Sequence, residues 1–384
     1  MTQNDIKLCD TQSAIDALAK ELTALEEGDC IALDSEFDRT VTYYPRFALL
    51  QLCFRGRVYL ADPQQTDLAP VLEALCQTPA LCLLFSAAED LEVLARASEQ
   101  AFGVRDLPKR LADLQLLSTF TGRGYMRGLA ATLESELGVA LEKSETRSDW
   151  TARPFSAKQI EYAAQDVEYL EALWQKLLSE AYQNDRRVRW FFAAMEELRG
   201  EALEVIPPED AYMGIAGAGM LSHEELLRLQ YLCQKRAEYA MEHNEALNRV
   251  ITGKALCDLA KQTPLTRQGL ASCRVNWGAV RQHGDQILEW IRGSMSLPDR
   301  ELKPPYDAWI ASREQRRRAE RLKRILAAKA AEQGIAPELL GNRRLVTDFF
   351  YCRKLFETPK VEKGWISECL RGIKFDQNGR ITKK

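Results

Sequence analysis

Three short stretches of this sequence place acidic side chains where they could work together. Asp34-Ser35-Glu36 closes the apolar run Cys30-Ile31-Ala32-Leu33. On a strand, residues two apart face one side, so Asp34 and Glu36 would present their carboxylates together. Two like charges ~4 Å apart repel by about 4 kcal/mol at an effective dielectric of 20. A divalent cation between them would remove that penalty; the plain alternative is an ordinary polar strand end. In Phe85-Ser86-Ala87-Ala88-Glu89-Asp90 an apolar run passes through small residues into a helical pattern. Asp90 then lies near a helix N-terminus, where acidic residues are favoured in any case. In Tyr162-Ala163-Ala164-Gln165-Asp166, the i and i+4 positions put Tyr162 and Asp166 on one helix face. The two alanines between them leave room for another element. Each stretch alone has a structural explanation; together they offer four carboxylates and a phenol.

The elements that must carry these residues read as an α/β pattern over 1–206. Ile15–Leu25 is helix-like, Cys30–Leu33 strand-like. Phe47–Phe54 and Val58–Ala61 flank Arg55-Gly56-Arg57, which predicts a hairpin. Leu68–Cys76 reads as a helix and Ala80–Phe85 as a strand. Asp90–Ala101, Leu111–Phe120, Leu129–Leu137 and Ala157–Leu178 read as helices. Early strands with helices around them suggest a mixed sheet with flanking helices. Pro207-Pro208 ends this domain. The glycine-rich stretch Gly214–Gly219 follows no strand, so it reads as a linker rather than a phosphate loop. From Ser222 no strand is expected. Ser222-His223-Glu224-Glu225 has the form of a capping box opening a helix to about Asn244. Ser296–Pro305 reads as a second linker, before a long basic helix within Tyr306–Gly334. Two small all-α domains, 207–297 and 298–384, are therefore expected after the α/β domain 1–206.

Composition narrows the classes. The 384 residues are 46% hydrophobic and 28% charged, which excludes a disordered or collagen-like chain. The longest apolar runs fall far short of the ~20 residues of a membrane span, and Met1–Asp10 lacks the pattern of a signal peptide. Ten scattered cysteines without a C-x-x-C pair read as reduced thiols of a cytoplasmic protein. The net charge of −4 hides an asymmetry. From Arg300 to Lys384 there are 21 basic and 11 acidic residues, net +10, leaving −14 for the rest. A basic C-terminal region fits contact with phosphates. Arg313, Arg316, Arg317, Arg318, Arg321, Lys323 and Arg324 crowd one helix and wrap around it rather than forming one stripe.

The order of the acidic stretches, D-x-E on a strand, D at a helix start and Y-x-x-x-D on a late helix, resembles the tyrosine subclass of the DEDD exonuclease superfamily. The resemblance is closer still to the ribonuclease D family. Asp34-Ser35-Glu36-Phe37 with Thr42-Tyr43-Tyr44-Pro45 and Leu50-Gln51-Leu52 resembles its first motif. Ser86–Leu94 resembles the second, and Arg153-Pro154 with Gln159 and Tyr162–Val167 the third. Phe85 departs from the pattern, standing where many relatives carry His. The region after Ser222 resembles the helicase-and-ribonuclease-D C-terminal (HRDC) domain, with a second, divergent copy expected in the last 80 or so residues.

The resemblance implies a ribonuclease-H-like exonuclease domain followed by two HRDC-like domains. It implies a 3′–5′ exoribonuclease that releases 5′-nucleotides by two-metal hydrolysis, trimming tRNA precursors and other small structured RNAs at single-stranded 3′ ends. The catalytic set would be Asp34, Glu36, Asp90, Tyr162 and Asp166. Asp34 would bridge two ions, Mg²⁺ or Mn²⁺, with Glu36 and Asp166 completing one site and Asp90 serving the other. All three histidines, His223, His243 and His283, lie outside the α/β domain. A phenol of pKa ~10 is a poor base at neutral pH, so Tyr162 would orient a metal-activated water rather than deprotonate it. Phe37, Tyr43 and Tyr44 are candidates to stack on bases. Glu89 could meet the terminal ribose, and Arg39, Arg46 and Arg153 could meet phosphates. The expected partner is RNA, with no membrane, and the expected state a monomer. A DNA exonuclease of the same fold, or a non-catalytic nucleic-acid-binding protein, are the alternatives.

Overall fold

The computed structural model describes residues 5–141, 148–181, 185–308 and 312–382. They form two units. The first comprises Met1–Asp38, Pro45–Glu204 and Ala327–Leu339, the second Arg39–Tyr44, Val205–Leu326 and Leu340–Lys384.

The first unit runs β1 (Asp5–Cys9), α1 (Gln12–Thr23), β2 (Cys30–Asp38), β3 (Arg46–Phe54), β4 (Arg57–Ala61), α2 (Ala69–Gln77), β5 (Leu81–Leu84), α3 (Ala88–Phe102), β6 (Leu111–Asp113), α4 (Leu114–Phe120), α5 (Leu129–Leu137), α6 (Ala157–Glu168), α7 (Leu170–Ala181) and α8 (Asp185–Leu203). Its six strands lie in the order β1-β4-β3-β2-β5-β6. The centre β4-β3-β2 is antiparallel, while β1 joins β4, and β5 and β6 join the β2 side, in parallel. The β3–β4 hairpin turns on Arg55 and Gly56, both at positive φ (50° and 74°). That is the primed two-residue turn whose twist matches its strands. Ile31, Leu33, Leu50, Leu52 and Leu83 are fully buried, as expected for central strands covered on both faces. Helix α6 packs over β2, β3 and β4, and α7 over β2 and β5.

Four expectations are corrected. Leu111–Phe120 is not one helix: Leu111–Asp113 forms edge strand β6, and α4 starts behind the Asp113 cap. Two apolar residues are too few to show a strand period. Ala157–Leu178 breaks at Tyr169 into α6 and α7; no glycine or proline marks the break. Asp5–Cys9, assigned to no element from the sequence, is β1, an edge strand with Ile6 and Leu8 partly exposed. Strands also occur after Ser222, as a two-residue ladder described below.

The second unit contains α9 (His223–Glu242), α10 (Leu247–Val250), α11 (Gly253–Gln262), α12 (Arg267–Ser272), α13 (Trp277–Ser294), α14 (Arg313–Glu332, its last residues counting with the first unit), α15 (Pro337–Leu340), α16 (Arg343–Lys354) and α17 (Gly364–Cys369). A small antiparallel pair, β7 (Lys374–Phe375) and β8 (Ile381–Thr382), completes it. Ser222 and Glu225 form the expected capping box. Leu229, Leu232, Leu256, Leu259, Ile287 and Ile291 join one buried core. The glycine-rich stretch is ordered. Gly217 and Gly219 donate their N–H groups to the two carboxylate oxygens of Asp307, at 2.6 and 2.7 Å. The loop thus cradles an anion, and the anion is the chain's own. A Cβ on Gly219 would lie 2.4 Å from Ala308 Cα, so only glycine fits.

All ten cysteines are free thiols. Among the described residues, no helix is long and apolar enough to cross a membrane.

Candidate active site

Asp34 and Glu36 lie on the same face of β2, with Ser35 on the other. The register sets Asp34 opposite Gln51 and Glu36 opposite Leu49 on β3, and a bulge follows between Glu36 and Phe37. Bulges re-aim side chains next to sites; here the regular alternation ends just after the two acids. β5 ends at Leu84, and Ser86 adopts φ 68° to turn the chain into α3. That tight turn places Asp90 in the first turn of α3. On α6, Ser156 and Gln159 form a reciprocal capping box, and Gln159 Nε2 also donates to the Asp149 carbonyl at 3.2 Å. Four residues apart on α6, Tyr162 and Asp166 hydrogen-bond, the phenol donating. Buried Ala163 and Ala164 let the helix lie close on the sheet.

One carboxylate oxygen each from Asp34, Glu36 and Asp166 comes together within 4.8 Å of the others. Asp90 is 7% exposed and accepts a hydrogen bond from Ser35 Oγ at 2.5 Å. Burial, then the charges of Asp90, Asp166 and Glu36, hold the Asp34 carboxyl well above its usual range. Burial and the same neighbouring acids push Glu36 up to about 8. Asp90 and Asp166 are each pushed up to about 7 by burial, against the opposing hydrogen bonds from Ser35 and Tyr162. Such a set of half-buried, mutually repelling carboxylates, with Asp90 buried beside them, is unfavourable ionised and becomes favourable once cations neutralise it. Its donors are oxygens only, which suits hard divalent cations.

The other sequence candidates divide. Phe37 follows the bulge, half-buried, and Glu89 lies exposed in the first turn of α3. Arg46 opens β3 opposite Asp38. Arg39, Tyr43 and Tyr44 fall in the second unit. There Tyr43 packs against the helical core, and the Tyr44 N–H donates to Asn244 Oδ1 at 3.1 Å.

The phosphate role expected of Arg153 is corrected. Its guanidinium donates to both Asp62 oxygens (2.5 and 2.7 Å), to the Ala48 carbonyl (2.7 Å), and to the Trp150 and Ala152 carbonyls (2.8 Å each). Those bonds use all five N–H groups. Arg153 therefore ties the segment before α6 to the sheet.

Sequence reasoning missed three residues around the site. Asp113 is 6% exposed and caps α4, accepting from the Gln115 and Leu116 N–H groups. It also accepts from the Ser86 and Ala87 N–H groups at 3.0 and 3.1 Å, which fixes the turn ahead of Asp90. Its local signal was an Asp directly before an apolar helical run. Ser35 was passed over as the spacer of D-x-E. Gln51 is fully buried opposite Asp34, and neither end of its amide has a hydrogen-bond partner among the described residues.

Comparison with known proteins agrees with this geometry. Residues 6–181 match the 3′–5′ exonuclease family model and residues 225–291 the HRDC domain model. The chain is 34% identical to ribonuclease D of Escherichia coli over 92% of its own length and 94% of that protein's. It is 32% identical to ribonuclease D of Musicola paradisiaca, covering 89% and 92%. Its structure is similar to the crystal structure of E. coli RNase D, described as an exoribonuclease involved in structured RNA processing. The TM-score is 0.82 at 31% identity, with 96% of each chain covered. Sequence, sheet and acid cluster together place the chain in the ribonuclease D family of 3′–5′ exoribonucleases.

Proposed function

We propose that Asp34, Glu36 and Asp166 hold one divalent cation, and that Asp34 and Asp90 serve a second, the ions being Mg²⁺ or Mn²⁺. The observation that carries this reading is the three-carboxylate cluster with its oxygens within 4.8 Å. When bound, the cations supply Lewis-acid activation of water and neutralise charge developing on the scissile phosphate. The chain's own groups do the rest. Asp166 and Tyr162, one turn apart on α6, stand where a phenol can orient a water by hydrogen bonding. Ser35 holds the Asp90 carboxylate by its hydrogen bond. Phe37 is the candidate to stack on the terminal base, and Glu89 to meet its ribose.

The substrates we propose are tRNA precursors and other small structured RNAs with single-stranded 3′ ends, cut to release 5′-nucleotides by a cytoplasmic monomer. In the helical part, 207–297 would be the first HRDC-like domain and 298–384 the divergent second. The RNA-holding surface is the basic helix α14. Its basic residues are not spread evenly, as the sequence suggested. Arg313, Arg316, Arg317, Lys323 and Arg324 are exposed, and their spacing puts them on one face. Arg318 is turned aside onto Glu314 and Asn378.

The test is a competition between a tRNA precursor with a short 3′ extension, an unstructured RNA and a matched DNA strand, each with Mg²⁺. Faster trimming of the precursor, stopping near the mature end, supports the reading. Equal or preferred cleavage of DNA contradicts it.

A further inference from the structure

The second unit contains a cavity of about 640 Å³, within the ~300–1,000 Å³ usual for small-ligand pockets. One wall is the 213–216 backbone with Tyr306, the other the face of α16 carrying Arg343, Arg344, Thr347 and Tyr351; Lys360 closes it. The first wall is tightly built. Tyr212 Oη donates to the Lys303 carbonyl at 2.7 Å, and the Tyr306 N–H donates to the Met213 carbonyl at 3.0 Å.

The cavity's two acids are engaged by the chain. Asp307 is held by the glycine N–H groups described above, and Asp348 accepts the Lys360 N–H at 2.6 Å. The cavity also carries cations. Arg343 and Arg344 occupy the first turn of α16, behind its Asn342 cap, and both side chains are exposed. Cations there oppose the helix dipole. An anion in the cavity would be attracted both by the guanidinium groups and by the helix N-terminus. Opposite them the lining is aromatic. Tyr306 is 46% exposed and meets Tyr351 edge-to-face with ring centres 5.0 Å apart. Paired guanidinium groups, a hydroxyl and an accessible aromatic face in one mostly apolar cavity match a phosphate joined to a flat heterocycle.

We propose that this cavity binds one nucleotide as its 5′-phosphate, with the phosphate on Arg343, Arg344 and Thr347 and the base against Tyr306. The nucleotide is either an unpaired residue of an RNA strand or the free mononucleotide that 3′ hydrolysis releases. The second source rests on the exoribonuclease reading; the binding itself does not.

Calorimetric titration of the full chain with 5′-AMP, adenosine or inorganic phosphate tests this. Performed in EDTA, it leaves the acid cluster without cations and so repulsive to phosphate. The expected result is one 5′-AMP site per chain, with adenosine and phosphate each at least ~10-fold weaker. Arg343→Ala with Arg344→Ala, or Tyr306→Ala alone, should weaken 5′-AMP at least ~10-fold, and Tyr306→Phe should retain it. With Mg²⁺, these variants should hydrolyse a pentanucleotide at the wild-type rate, a separate check on the exonuclease reading. A raised KM on a long single-stranded RNA would assign the site to the strand. An unchanged KM with lost 5′-AMP affinity would assign it to the free nucleotide. Absence of 5′-AMP binding at millimolar concentration overturns the proposal, even if the variants lower RNA affinity. So does affinity indifferent to all the substitutions.

Discussion

At the residue scale, the site is a set of carboxylates that the fold holds together against their own repulsion. Without metal, burial and the neighbouring acids push Glu36 up to about 8, and burial pushes Asp90 and Asp166 up to about 7, against about 4 for ordinary carboxylates. Between those values the folded chain keeps protons that the unfolded chain has lost. Metal-free stability should therefore fall as pH rises from about 4 to about 8. Thermal melts in EDTA should show that fall, and the increment from added Mg²⁺ should be larger at pH 8 than at pH 5.5; an increment independent of pH would contradict it. Asp34→Asn should raise the melting temperature in EDTA at pH 8 while lowering Mg²⁺-dependent RNA hydrolysis by at least ~10²-fold. Gln51 makes a related point. Its buried, unpartnered amide costs on the order of 1–2 kcal/mol, so Gln51→Leu should stabilise the metal-free chain by about that much in a urea melt. Equal or lower stability would mean that the amide is satisfied in solution.

At the scale of elements, three junctions aim the acids, and each has its own fastening. The β2 bulge follows Glu36, the Asp113 carboxylate fixes the Ser86 turn before α3, and Arg153 ties the approach to α6 onto Asp62 and Ala48. Replacing Asp113 with Ala leaves four backbone N–H groups in and beside the core without their acceptor. Denaturation should show a loss on the order of 3 kcal/mol, with Asp113→Asn losing less. A loss under about 1 kcal/mol would show that the turn holds without it. These fastenings also explain what the sequence made legible. The D-x-E and Y-x-x-x-D stretches were readable because strand and helix periods fix which residues share a face. The β3–β4 hairpin and the α9 capping box were readable because their signals lie within a few residues. Asp113 and Arg153 were not readable in the same way, because the partners that tie them to the site, Ser86 and Ala87 for one and Asp62 and Ala48 for the other, lie 26 or more residues away in sequence. Nothing in Arg153-Pro154 separates a phosphate ligand from a buried ion pair. β6 was hidden because three residues are too few to show a period, while β1 alternates but leaves its apolar Ile6 and Leu8 partly exposed at the sheet edge.

At the scale of the whole molecule, charge is divided between an acidic body and a basic C-terminal region, and α14 gathers exposed arginines on one face. If that face holds RNA, replacing Arg316, Arg317 and Arg324 with Ala should flatten the salt dependence of binding. Each lost phosphate contact on a single strand lowers the slope of log K against log salt by roughly 0.7, so filter binding across salt concentrations should find a decrease of about 2. An unchanged slope would place the RNA elsewhere. Substitution is a cleaner test than deletion. Residues 327–339 belong to the first unit, where the Ala336 N–H donates to the Thr119 carbonyl and Arg187 to the Gly334 carbonyl. Removing the tail would damage the exonuclease fold as well. The most direct measurement of the central claim, that the acids of β2, α3 and α6 hold the divalent cations for 3′–5′ hydrolysis, uses a 5′-labelled RNA with a single-stranded 3′ tail. It is incubated with the wild-type chain, with Asp34→Asn and with Asp166→Asn, in Mg²⁺ and in EDTA. A ladder shortening from the 3′ end, present only for the wild type with Mg²⁺, is the predicted result. Shortening that persists in EDTA or in either variant would contradict the account.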